Sequence, residues 1–80
     1  MKTEHQFRTE AVAIVERLRA FGSPADALIV LAYTLGLVTA MVEGLKTADE
    51  AFAEFSRLCI GEFRVAFTTV RSSDEFEPMV

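Results

Sequence analysis

Residues 27–42 contain no charged side chain and are bracketed by Asp26 and Glu43, and Ala32, Gly36, Ala40 and Gly44 recur at every fourth position within and just beyond this run. At 100° per residue that spacing lines small side chains along one strip of a helix. A helix that is apolar around its whole circumference needs neighbours on every side. A chain of 80 residues and 8.9 kDa has few to offer. Surface scaling gives roughly 4,800 Å² exposed when folded against about 12,900 Å² unfolded, so only about 60% is buried, which is marginal for a monomer. With 51% hydrophobic residues and a mean hydropathy of +0.29, the surplus of apolar surface points to assembly as the source of extra core.

Three start signals divide the chain. Thr3 is followed three residues later by Gln6, Ser23 by Asp26 and Thr47 by Glu50, each ahead of an apolar-periodic run. This is the capping-box pattern, in which the Ser or Thr oxygen accepts from a free helix N–H while the later side chain reaches back. Pro24 follows Ser23 at the first helical position, where its missing N–H costs nothing. Gly22 and Gly44 fall near helix ends, where a left-handed residue is commonly needed.

The expected helices cover about 4–21, 24–45 and 48–70. In the first, Phe7, Ala11, Ile14, Val15, Leu18 and Phe21 form one stripe with charges opposite. The third carries Ala48, Phe52, Phe55, Cys59, Phe63, Ala66 and Val70 at spacings of three and four, with Glu50, Glu54, Arg57, Gly61, Arg64 and Thr68 on the other edge, and Ile60, Val65 and Phe67 widening the apolar arc. In the second, Leu31, Leu35, Leu37, Val38, Met41, Val42 and Leu45 make a large half suited to an intramolecular core. Ala32, Gly36, Thr39, Ala40 and Gly44, with Ile29 and Tyr33, make a small half suited to close approach by another helix. Links of about two residues turn each helix antiparallel to the one before it. The predicted fold is therefore all-α, an up-down-up three-helix unit over 1–71 with the hydrophobic helix central, associating as a homodimeric helical bundle. The acidic stretch 72–80 is expected to be a flexible tail.

The chemistry of the chain is sparse. His5 is the only histidine and Cys59 the only cysteine, which leaves no histidine-rich metal site, no general base beside a nucleophile and no internal disulfide. Cys59 shares a stripe with Phe55 and Phe63 and is expected in the core. Glu54 is placed to pair with Arg57, and Glu50 and Glu54 read as a solvated edge. The glycines are scattered along helices and make no phosphate loop. A net charge of −4, with Glu4, Glu10 and Glu16 interleaved among Arg8, Arg17 and Arg19, disfavours nucleic acid. The first ten residues hold no apolar signal segment, which with the lone cysteine points to the cytoplasm.

These readings predict no catalytic, cofactor-binding or metal-ligating residues. They predict a non-catalytic regulator, inhibitor or adaptor whose first partner is a second copy of itself, with another protein as a further possible partner. The expected interface comprises Ile29, Ala32, Tyr33, Gly36, Ala40, Ile60 and Phe67. The alternatives are a small protein that associates with a membrane through helix 2, or a bundle that holds an apolar small molecule. Membrane insertion is disfavoured because Asp26 and Glu43 bracket only about 24 Å of helix, less than a hydrocarbon core of about 30 Å.

Overall fold

The computed structural model describes residues 2–72. The tail expected at 72–80 lies, apart from Ser72, outside the described residues. The described chain is all-helical: α1 spans Glu4–Phe21, α2 Pro24–Ala40 and α3 Ala48–Arg71, with no strand among the described residues. It divides into two compact units with the boundary inside α2, one up to Leu31 and one from Ala32 onward.

All three start signals act as their chemistry requires. The Thr3 hydroxyl accepts from Gln6 N at 3.2 Å while Gln6 Oε1 accepts from Thr3 N at 2.7 Å, a complete capping box. At α2, the Ser23 Oγ accepts from Asp26 N at 3.3 Å, and Asp26 Oδ2 accepts from Ser23 N at 2.9 Å. At α3, Thr47 Oγ1 accepts from Glu50 N at 3.1 Å, but the Glu50 carboxylate reaches one residue further and accepts from Lys46 N at 3.0 Å. That shift ties the α2–α3 link to the first turn of α3.

In the first unit, burial is concentrated where α1 and α2 join. Leu18, in the last turn of α1, is 7% exposed, and Ala27, in the first turn of α2, is 4% exposed; these are the only buried hydrophobic residues among those described. Gly22 stands in the link between them, and its φ of 178° is extended backbone, so the left-handed conformation expected there is absent. Gly22 is required for a different reason. A Cβ at this position would collide with the Asp26 carboxylate, whose Cβ and Cγ lie 3.1 Å from it. The bare glycine leaves room for the carboxylate that caps α2.

α2 ends at Ala40, five residues short of the expected 45. Met41 N bonds to Val38 O and Val42 N to Thr39 O, both at 3.1 Å, so the chain tightens into i to i−3 turns as it leaves the helix. The Thr39 hydroxyl adds a local bond within the last turns of the helix, donating to Leu35 O at 2.8 Å and lying 3.2 Å from Gly36 O. Gly44 then adopts φ 91°, which only glycine holds without strain. The apolar run thus spends its last residues turning the chain toward Thr47.

Two outcomes test this local structure. Gly44→Ala should cost about 1 kcal/mol because of its positive φ, whereas Gly61→Ala, at an open position in α3 with nothing within 4 Å of the added methyl, should gain up to about 1 kcal/mol; urea titrations read both. The bonds from Ser23, backbone first and hydroxyl second, hold the Asp26 carboxyl below its usual value of 3.8. A lowered folded value means that its stabilisation is fully present above about pH 4 and is lost as pH falls through the folded value. Thermal melts from pH 7 to pH 2 should therefore show a smaller acid loss for Asp26→Asn than for the natural chain.

Candidate interaction surface

Polar groups in this chain are largely committed to helix ends and local pairs. Glu50 is occupied by Lys46 N, and Glu54 forms an i, i+3 pair with Arg57, whose Nε lies 3.3 Å from Glu54 Oε2. That hydrogen bond, with some Coulombic help, holds the Glu54 carboxyl below its ordinary value and the Arg57 guanidinium above its own. His5 is exposed in the first turn of α1 and shares a shallow depression with Arg8, Thr9 and Val12, all on one helix face. No group of three or more His, Cys, Asp or Glu that could hold a metal occurs among the described residues. No described helix is long and apolar enough to cross a membrane.

Apolar groups are the opposite case. Phe7, Ile14 and Phe21 are exposed along the stripe of α1, and the large half of α2 is exposed at Leu31, Leu37, Val38 and Met41. Cys59, expected in the core, is only half-buried. In the second unit the large half of α2 is covered only in part: Leu45, beyond the helix end, is half-buried, while Leu37, Val38, Met41 and Val42 are exposed. Leu35 and Thr39 are the half-buried residues of α2 there, and it is the small-residue strip that turns toward the start of α3. Ala32, Gly36 and Ala40 line one wall of an open depression of about 650 Å³, with Leu45, Ala48 and Phe52 among the residues opposite. Nothing lies within 4 Å of a Cβ placed on Gly36, so the strip is open. The chain turns at Met41–Gly44 immediately beyond it, which sets the small face of α2 and the first turns of α3 on two sides of one groove.

α3 continues far past this groove. Its 24 residues make about 36 Å of helix against about 26 Å for the 17 of α2. The half-buried positions, Ala51, Glu54, Phe55, Ser56 and Cys59, all fall in its first half, and every residue from Ile60 to Ser72 is exposed. Ile60, Phe63, Phe67 and Val70 share one side of this distal half at spacings of three, four and three, with Phe63 65% and Phe67 54% exposed. Arg71 lies over the Phe67 ring at 5.1 Å, a cation–π contact that covers one aromatic face. Nearer the groove, Phe52 and Phe55 stack in a tilted arrangement with centroids 6.3 Å apart, and Phe52 is still 65% exposed.

Each residue of the expected interface is therefore at the surface of the chain: Ile29 and Tyr33 on α2, Ala32, Gly36 and Ala40 along the groove, and Ile60 and Phe67 on distal α3. Of these, Ala32, Gly36 and Ala40 share the lining of the groove. The row Glu50, Arg57, Arg64 and Arg71, spaced by seven, runs along one edge of the α3 seam; the interval of seven is the sequence signal for it. No protein-family model, no curated protein and no solved structure matches this chain.

Proposed function

We propose that this protein works by contact, as a small non-catalytic helical regulator, inhibitor or adaptor whose working form is a homodimer, with the three helices completing an up-down-up bundle in that assembly. The observation that carries this reading is the mismatch between apolar content and burial. Half the sequence is hydrophobic, yet Leu18 and Ala27 are the only buried hydrophobic residues described, while Phe52, Phe63, Phe67 and others remain in water. Ordering each residue costs about 1–2 kcal/mol, and a large apolar side chain left exposed forgoes about 1.5–3 kcal/mol. Two small patches of burial do not offset that cost over three helices. A second copy supplies the missing surface at no cost in new sequence, and closed twofold pairs are the commonest form of such assembly.

The polar side of the molecule supports action by contact. The carboxylates best placed for chemistry are engaged in capping Lys46 and pairing Arg57. Cytoplasmic action and a further protein partner belong to the same reading, the latter held on whatever apolar surface the dimer leaves open.

Light scattering behind a sizing column in plain buffer should give twice 8.9 kDa, shifting toward one copy on dilution. Gly36→Leu should convert the dimer to a monomer or unfold it, at a cost of about 1–3 kcal/mol from overpacking, if the small face of α2 is covered in the assembly. Unchanged mass for this variant would remove that face from the interface, and a natural chain that stays monomeric at every concentration would overturn the homodimer.

A further inference from the structure

Along the seam of α3, the two halves differ in size and charge. The positions facing one side are, in order, Asp49, Ala53, Ser56, Ile60, Phe63, Phe67 and Val70, an alternation of four and three that keeps them on one line. The first three are small or polar, and the last four are large and apolar. Charge leans the same way: Asp49, Glu50 and Glu54 with Arg57 leave the proximal half net acidic, and Arg64 and Arg71 with Glu62 leave the distal half net basic. A helix that is small and acidic at one end and bulky and basic at the other is complementary to itself turned end for end.

We infer that α3 pairs antiparallel with α3 of a second copy, about a twofold axis near Gly61 and Glu62, so that the bulky basic half of each helix lies along the small acidic half of the other. This rests on the homodimer proposed above and specifies its interface. In this register Ile60 meets Phe63 of the partner subunit, Phe67 lies opposite Ser56 and Val70 opposite Ala53. The edges that face each other in an antiparallel pair are like edges, here the row Glu50, Arg57, Arg64 and Arg71. End-for-end pairing brings Glu50 against Arg71 twice. Arg57 and Arg64 meet near the axis, where the Arg57 charge is already matched by Glu54. A parallel pair would instead set Arg57, Arg64 and Arg71 against the Cys59 and Ala66 edge, with no carboxylate to meet them.

The seam also carries exposed apolar area for such a pairing. Taking about 200 Å² for a phenylalanine, exposures of 65% and 54% at Phe63 and Phe67 leave about 240 Å² per copy in water. Two copies bring about 480 Å² from these rings, and Ile60, Val70 and the flanking stems add to it toward the roughly 1,200 Å² at which specific interfaces begin.

Two measurements test the register. A spin label at Ser72, in a chain carrying Ser72→Cys and Cys59→Ala, should give an inter-label distance of about 32 Å, twice the helical rise from the axis to residue 72. A distance under about 20 Å would overturn the antiparallel register while leaving the homodimer standing, and no dipolar coupling together with a monomeric mass would overturn both. In the second, Glu50→Arg and Arg71→Glu should each raise the dimer dissociation constant about tenfold at low salt, through two reversed pairs of modest strength, and the double variant should recover most of the loss. Loss of helix-end charge alone would make the double variant worse than either single change; that result would overturn the pairing.

Discussion

An α-helix closes its own hydrogen bonds but gains most of its stability in water from packing an apolar face against something else. In this chain such packing reaches Leu18 and Ala27 around the Gly22–Ser23 link and gives only partial cover to others, among them Val12, Val15, Val30, Leu35, Leu45, Phe55 and Cys59. Every other feature follows from that shortage. Polar side chains are used to hold helix ends, because ends are where a small chain can secure order locally. The apolar faces stay largely exposed.

The three caps show how strongly the ends are fixed. Each uses a hydroxyl on one side and a longer polar side chain on the other, and a cap of this type contributes about 1 kcal/mol. Gly22 gives up a side chain so that Asp26 can reach Ser23, and Glu50 reaches past Thr47 to Lys46. These bonds place the helix starts without needing a core, which suits a protein whose core is proposed to form only between copies. The turn at Met41–Gly44 does comparable work: it ends α2 early and sets the small-residue strip beside the start of α3, creating a groove where a continued helix would have carried that strip past it.

How much of this could be read in the sequence follows from the range of each interaction. Capping depends on residues three apart, so Thr3 with Gln6 and Ser23 with Asp26 were legible, as was the i, i+3 pair of Glu54 with Arg57. The end of α2 was not, because its large apolar residues continue through Leu45 and the periodic pattern continues with them; the chain instead leaves the helix through i to i−3 bonds at Met41 and Val42 and the positive φ of Gly44. The inward face of α2 was legible only in part: side-chain volume favoured the leucine face, of which Leu35 is half-buried, whereas the path of the turn also brings the small residues Ala32, Gly36 and Ala40 beside the start of α3. The exposure of distal α3 depends on which neighbours reach it, which a stripe of hydrophobic residues does not encode.

Because folding and self-association are proposed to be one process, the most direct measurement is the thermal unfolding midpoint, followed by circular dichroism over about a hundredfold range of protein concentration. Coupled folding and dimerisation require the midpoint to rise steadily with concentration, since mass action favours the associated folded state. A sharp transition at one temperature throughout, with a mass of 8.9 kDa at every concentration, would mean that the single chain is stable with its apolar faces in water, and would contradict the dependence of this fold on a second copy.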